Sequence, residues 1–100
     1  MAGTKRRNVR TQEYKKLLKK LPERAVKLTD AAYRAFLADP SHNSLKHHAL
    51  KDTKKGEHRR GSWAVHIGNQ WCAIYVPDGN ENVWYWIGTH EDYNNYTGLK

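Results

Sequence analysis

Four adjacent residues near the end of the chain, His90, Glu91, Asp92 and Tyr93, carry side chains that can move or orient a proton. They follow an apolar run, residues 83–88, whose composition predicts a buried strand. Loops at strand ends are exposed and are where chemistry is usually displayed. Capping of a short helical turn is the favoured interpretation for Asp92. For His90 and Tyr93 we favour acid–base catalysis over simple packing on the sheet edge.

A further histidine lies in a half-buried strand pattern. Trp63, Val65 and Ile67 alternate with Ala64 and His66, so His66 is expected to point away from the helices. A lone histidine on a strand is more often a surface residue than a catalyst. Its position on the open face of the sheet, in the same meander as His90, makes it a candidate catalytic residue.

Positive charge is concentrated in the first part of the chain. The formal net charge is +8; residues 1–60 carry 17 Lys and Arg against 6 Asp and Glu, whereas residues 61–100 carry 1 Lys and 4 Asp and Glu. Such a basic domain suits a polyanion or an acidic protein partner. A charge run is often only a solvated surface, but the flanking Trp and Tyr side chains favour nucleic-acid contact by stacking. The predicted basic rim consists of Lys46, Lys51, Lys54, Lys55, Arg59 and Arg60.

The sequence predicts neither a metal site nor a cofactor. None of the six histidines belongs to an HExxH motif, CxxC is missing, and the adjacent His47 and His48 would point to opposite faces of a strand. The single cysteine, Cys72, cannot form an internal disulfide, which fits a reducing compartment, and we expect a cytoplasmic protein. We expect no membrane partner, because no apolar run approaches the ~20 residues of a membrane span, and the basic N-terminus has no secretory signal pattern.

The first part of the chain reads as two helices. Thr11 is a plausible N-cap, and the first helix has an apolar stripe formed by Tyr14, Leu17, Leu18 and Leu21. Pro22 suits the first position of a second helix, which ends at Asp39-Pro40. Its predicted buried stripe is Ala25, Leu28, Ala32, Ala35 and Phe36. The tight connection predicts an αα-hairpin.

The rest of the chain reads as a β-meander. Strands are predicted at residues 44–50, 63–67, 71–76 and 82–87, with a polar loop at 52–61, a hairpin turn at 77–80 and a loop or short helical turn at 89–96. Alternation places Trp84 and Trp86 on one face. Residues 1–10 form a basic arm or an edge strand. The predicted fold is a single α+β domain over residues 1–100: an N-terminal α-helical hairpin packed on one face of a small twisted antiparallel β-sheet, with the other face partly open.

The ordered motifs resemble the RelE/ParE toxin superfamily. They are NVRTQEYKKLLKKLPE, DPSHNSLKHHALK, GSWAVHIGNQWCAIYV and VWYWIGTHEDYNNY, and the resemblance covers the chain from about Val9 to Tyr96. The last motif, which includes Trp84, Trp86 and His90, is the most specific. The resemblance implies a helical hairpin on a small antiparallel sheet, in agreement with the predicted order.

The resemblance also implies an activity. RelE-like toxins cut mRNA in the ribosomal A site, where the RNA 2′-OH attacks the adjacent phosphate without a metal. His90 and Tyr93 match the family's C-terminal catalytic or base-stacking pair, and Glu91 is a secondary base. His66 and Cys72 stand where many members have arginines, which removes permanent positive charge from the site. The residues considered as replacements for that charge are Lys54, Arg59, Arg60 and His48.

Three functions therefore remain open at the level of sequence. The first is the toxin of a type II toxin–antitoxin system, a ribosome-dependent mRNA endonuclease held inactive by a cognate antitoxin. The second is a ParE-like inhibitor of DNA gyrase, which the loss of the two arginines favours modestly. The third is a non-catalytic RNA-binding member of the fold.

Overall fold

The computed structural model describes residues 6–98, which form three helices and five strands. In chain order they are β1 (Arg7–Arg10), α1 (Gln12–Lys19), α2 (Glu23–Ala38), β2 (His48–Ala49), β3 (Trp63–Ile67), β4 (Trp71–Asp78), β5 (Glu81–Thr89) and α3 (His90–Thr97). The predicted edge strand is present as β1, while residues 1–5 of the predicted arm lie outside the described residues. None of the helices within residues 6–98 has the length and apolar character needed to cross a membrane.

The five strands form one sheet in the order β1-β5-β4-β3-β2. Strands β2 to β5 make the predicted antiparallel meander, but β1 pairs with β5 in parallel. The sheet is therefore mixed rather than purely antiparallel, because the two helices after β1 carry the chain to the far edge before it returns. The Asn8 side chain fixes this pairing by accepting hydrogen bonds from Asn82 at 3.2 Å and from the Trp84 indole at 3.0 Å.

The first two helices begin and end near the predicted residues. The Thr11 hydroxyl accepts a hydrogen bond from the Tyr14 backbone N–H at 3.0 Å and so caps α1 as predicted. Pro22 is the N-cap of α2 rather than its first helical residue. The connection is tight, but α1 packs over β5 and α2 over β3. The pair is only roughly a hairpin, since each helix makes its main contacts with the sheet.

The buried face of α2 differs from the predicted stripe at one position. Ala25 and Phe36 are buried as predicted, with Ala32 and Ala35 packed partly against the core. Thr29 is buried as well, whereas Leu28 is 38% exposed. Thr29 is tolerated there because its hydroxyl donates to the Ala25 carbonyl at 2.7 Å. Leu28 instead projects into a cleft described below.

The two faces of the sheet carry two separate clusters of buried side chains. The face under α1 and α2 holds the larger cluster, which includes Val65, Ile67 and Trp84. Trp86 belongs to the opposite face, so the prediction that it shares a face with Trp84 is wrong. The cause is a β-bulge between Ile74 and Tyr75, which adds one residue to β5 and reverses the alternation beyond it.

The second face is more covered than the sequence predicts. Helix α3, two turns long, packs on it through Tyr93 and Tyr96, and Ala64, Cys72 and Ile74 are buried beneath. The loop that follows β2 also docks here, since the Glu57 N–H donates to the Tyr96 carbonyl at 2.7 Å. Near β2 and the start of α3 this face remains accessible, with His48 exposed and His66 and His90 half-buried.

The segment before β3 contains less strand than predicted. Instead of one strand over residues 44–50, the chain makes a 3₁₀ turn at Asn43–Leu45 and a two-residue strand. Lys46 separates them with a left-handed backbone, φ 45°. That turn breaks the period-2 pattern and buries Leu45 under the helices, with an exposed fraction of 1%.

Candidate functional site

Three histidine rings surround one phenol on the accessible part of the second face. We call His48, His66, His90 and Tyr93 the histidine cluster. The ring centroid of His66 lies 5.9 Å from that of His48 and 5.3 Å from that of His90. The Tyr93 centroid is 6.5 Å from His48, 6.3 Å from His66 and 5.8 Å from His90. Two residues predicted as catalytic from the end of the chain are thus beside His66, as the meander suggested.

Strand register brings the members of the cluster together. His48 pairs with Ala64, so it shares a face with His66 two residues further along β3. His66 pairs with Cys72 on β4. Helix α3 begins close to the start of β4, because the His90 N–H donates to the Gln70 carbonyl at 2.7 Å.

Tyr93 is deeper than the sequence predicts. We expected its ring at the rim of an open face, but it is only 2% exposed and packs against the sheet. Thr89 caps α3, because its hydroxyl accepts a hydrogen bond from the Asp92 N–H at 3.1 Å. With the start of the helix fixed in this way, Tyr93, its fourth residue, faces the sheet. Burial raises the pKa of Tyr93 to about 12, with the neighbouring Cys72 adding to the rise. The phenol is therefore protonated at neutral pH and can donate a hydrogen bond.

A hydrogen-bond chain orients His48 toward that phenol. The Nδ1 of His48 lies 2.7 Å from the Lys46 carbonyl, which can only accept, so Nδ1 carries the proton. In the neutral ring Nε2 is then an acceptor, and the Tyr93 hydroxyl donates to it at 3.0 Å. His48, which the sequence suggested only as a cation, belongs to the cluster itself.

The surroundings of His66 disfavour its charged form. Burial lowers its pKa below the usual 6.5, and the neighbouring His90, His48 and Lys46 lower it further. A neutral imidazole at pH 7 is ready to accept a proton. His90 is half-buried at the first position of α3.

A cleft of about 430 Å³ opens beside the cluster. It runs from α2 to the start of α3, with His66, His90 and Lys46 on one wall and Leu28 on the other. The mixture of imidazole, ammonium and apolar side chains suits a ligand that has both an anionic and a flat apolar part.

The residues of the predicted basic rim lie in different surroundings. Lys46 lies next to His66, whose pKa it lowers. Arg59 stacks over the Tyr85 ring at 4.5 Å, on the same face of the sheet as the cluster. Arg60 pairs with Asp52 at 3.6 Å on the surface, where such ion pairs contribute little to stability. Lys51, Lys54 and Lys55 are exposed in the loop between β2 and β3.

A buried polar network fixes that loop. The Ser62 hydroxyl donates to the Arg59 carbonyl at 2.6 Å, so its oxygen accepts from the Tyr85 hydroxyl at 2.6 Å. The Tyr85 oxygen accepts in turn from the Arg59 N–H at 2.8 Å. Arg59 is therefore held at both its backbone and its guanidinium.

Glu91, the predicted secondary base, is exposed in the first turn of α3. A carboxylate there stabilises the helix dipole. Its part in chemistry stays a prediction, as do the roles of the other site residues.

Comparisons with known proteins relate the chain to bacterial and archaeal toxins by fold alone. No protein-family model and no curated protein matches it. Among solved structures, YafQ from E. coli strain BL21(DE3) is 16% identical with a TM-score of 0.68, over 88% of this chain and 97% of YafQ. The E. coli DinJ–YafQ toxin–antitoxin complex gives 18% identity and a TM-score of 0.65, over 89% and 97%. The RelB–RelE antitoxin–toxin complex from Methanococcus jannaschii gives 15% and 0.60, over 88% and 96%.

These similarities confirm the predicted fold class. The chain has the α+β fold of the RelE-like toxins over almost their whole length. With identities below one fifth, the comparison defines architecture and not activity.

Proposed function

We propose that this chain is the toxin of a type II toxin–antitoxin system and acts as a ribosome-dependent mRNA endonuclease. The observation that carries the proposal is the histidine cluster, in which three imidazoles and a phenol meet beside a cleft with a basic wall. Imidazoles are the side chains best suited to accept and donate protons near pH 7. The toxin fold of the neighbouring structures supports the same conclusion.

In the proposed reaction the RNA supplies its own nucleophile. His66 Nε2 or Nδ1 accepts the proton of a ribose 2′-OH, and that oxygen attacks the adjacent phosphorus. The bond from phosphorus to the 5′-oxygen breaks, and the protonated His90 gives that oxygen a proton. The products are a 2′,3′-cyclic phosphate and a 5′-OH. The residues of the chain carry every proton transfer in this sequence.

The assignment of base and acid follows from the environments of the rings. The lowered pKa of His66 keeps it neutral at pH 7, as a base requires. His90 is half-buried and lines the cleft beside His66, so it is assigned the role of the acid. Lys46 provides positive charge for the phosphate at the position of developing negative charge.

Tyr93 and His48 act together in this scheme as a positioning pair. The phenol is too deep to reach RNA, but its hydrogen bond fixes the orientation of His48. The imidazole of His48 then faces the same space as His66 and contributes to phosphate binding. Arg59, Arg60 and the loop lysines contact the RNA backbone outside the cleft.

We also propose that an antitoxin protein binds this chain and blocks it. Two of the solved structures with a similar fold, DinJ–YafQ and RelB–RelE, are complexes of a toxin with its antitoxin. On this chain, one side of α2 exposes three large apolar side chains, Val26, Tyr33 and Leu37, while Leu28 lies on the other side, in the cleft. A partner that combines an amphipathic helix with acidic residues would cover this face and oppose the net charge of +8. A ribosomal substrate also implies that the activity is cytoplasmic.

The experiment is cleavage of a defined mRNA in a reconstituted translation system, with the RNA ends mapped by primer extension. Wild-type protein is expected to produce discrete new ends that require ribosomes. His66→Gln and His90→Gln are expected to reduce cleavage by about 10²–10⁴-fold. His42→Gln, which changes an exposed histidine outside the cluster, is the matched control and should cleave normally.

Intact mRNA in the presence of folded wild-type protein would refute the nuclease. A gyrase supercoiling assay on the same preparation distinguishes the alternatives. Accumulation of cleaved DNA in that assay would indicate a gyrase inhibitor, and no effect in either assay would indicate a binding protein without catalysis.

A further inference from the structure

Two members of the histidine cluster, His66 and His90, also converge on Cys72, which the proposed RNA cleavage does not use. His66, Cys72 and His90 each offer one nitrogen or sulfur atom, and these atoms all lie within 4.8 Å of one another. They come from three elements, β3, β4 and α3. Sequence spacing gives no sign of this trio, because 5 residues separate the first pair and 17 the second.

Cys72 is the unexplained member. It is fully buried, and burial raises the pKa of its thiol to about 12. As a thiol it takes no part in proton transfer at neutral pH, and it has no second cysteine to pair with. Apolar packing alone would account for its burial, but not for its placement opposite one imidazole in the sheet and below another.

We propose that His66, Cys72 and His90 form a binding site for a zinc ion. Two imidazoles and a thiolate are the borderline-soft donors that Zn²⁺ prefers, and a site with three protein ligands keeps its fourth position open. Water or a phosphate oxygen completes the tetrahedron. Zinc binding at this site does not depend on the proposed metal-free cleavage of RNA.

The geometry requires a small contraction. Zinc bonds of about 2.1 Å to nitrogen and 2.3 Å to sulfur place neighbouring ligand atoms about 3.3–3.8 Å apart in a tetrahedron. The present separations of up to 4.8 Å must shorten by about 1 Å. His66 and His90 are both half-buried at the cleft, so rotation of their side chains can supply this movement while Cys72 stays fixed in the sheet.

Binding has a simple proton balance. The Cys72 thiol loses its proton to solvent as the sulfur–zinc bond forms, and each imidazole binds through an unprotonated nitrogen. The lone pairs of His66 and His90 are then occupied. If the proposed RNA cleavage is correct, zinc therefore inhibits it, and this consequence alone rests on the proposed function.

Cobalt titration of the full chain without an affinity tag tests the site directly. Co²⁺ replaces Zn²⁺ in such sites, and a cysteine ligand gives a thiolate-to-cobalt charge-transfer band in the near ultraviolet. Wild-type protein is expected to develop this band at one equivalent and to lose it when Zn²⁺ is added. Cys72→Ser should abolish the band and weaken zinc binding by more than about 100-fold. Loss of a residue that only contacts a zinc ligand costs about 10–100-fold, so a larger loss indicates that Cys72 binds the metal itself. His42→Gln, the control, should retain both.

A wild-type spectrum without the band would overturn the proposal, as would a band that persists in Cys72→Ser. Circular dichroism and thermal unfolding show which of Cys72→Ser and Cys72→Ala is folded, and the folded variant is used in the titration. Cleavage assays then separate the two proposals: Cys72→Ser should cut RNA normally and resist zinc. If neither protein cuts RNA, the proposed function fails while the cobalt spectrum still decides the metal site.

Discussion

Replacement of Tyr93 by Phe removes one hydroxyl and keeps the ring. The ring is 2% exposed and its hydroxyl donates one hydrogen bond, at 3.0 Å to His48. Loss of that bond is worth about 0.5–1.5 kcal/mol of unfolding free energy. Tyr93→Ala also removes the buried ring and is expected to cost about 3–5 kcal/mol. Urea unfolding followed by tryptophan fluorescence measures both, since all four Trp lie within the described fold.

The same variant distinguishes a positioning role from a catalytic one. If the hydroxyl only orients His48, Tyr93→Phe should reduce RNA cleavage by about 10-fold or less, the kinetic equivalent of one hydrogen bond. A general acid or base would contribute about 10²–10⁴-fold. His48→Gln should be as impaired as the double variant with Tyr93→Phe, because the two act as one unit. A fall above 10²-fold in Tyr93→Phe with normal stability, or additive effects in the double variant, would refute this reasoning.

Three further predictions concern other residues. Burial and the adjacent His48 lower the pKa of His47, so below pH 6.5 the unfolded chain binds a proton more readily than the folded chain. Unfolding free energy should therefore fall as pH decreases from 6.5 to the folded pKa, with a smaller slope in His47→Gln; equal slopes would contradict this. Tyr85→Phe leaves the Arg59 N–H without its acceptor and should cost about 1–3 kcal/mol in urea unfolding, with faster amide exchange at Arg59; unchanged exchange would argue against the network. In Gly88→Ala the new Cβ would lie 2.7 Å from the Trp86 indole, so a loss of about 1–3 kcal/mol and altered Trp fluorescence are expected, and an unchanged thermal midpoint would show that the indole moves freely.

The sequence predicts the elements well where periodicity is strong. The stripe of α1 and strands β3 to β5 follow directly from helical or alternating patterns, and the end of α2 at Ala38 follows from Asp39-Pro40. The predicted burial of Leu28 is wrong, because helical spacing cannot distinguish a core position from the wall of a cleft. The predicted face of Trp86 is wrong, because a single bulge residue in β5 reverses the alternation of side chains.

The candidate site was only partly accessible to sequence reasoning. His90 and His66 could be chosen from their positions in the strand pattern, and they do lie together. His48 joins them through register across a two-residue strand, which no local pattern reveals. The depth of Tyr93 depends on the length of α3, and the approach of Cys72 depends on pairing between β3 and β4.

The most direct test of the account is cleavage of an mRNA with one altered sugar. After primer extension locates the cleavage site, the nucleotide on its 5′ side is replaced by its 2′-deoxy counterpart, and the reconstituted reaction is repeated with a zinc-selective chelator present. We predict a 2′,3′-cyclic phosphate on the unmodified RNA and no cleavage at the deoxy position. Cleavage at the deoxy position, or an unmodified product that carries a 5′-phosphate, would contradict the proposal that these imidazoles transfer the proton of the 2′-OH.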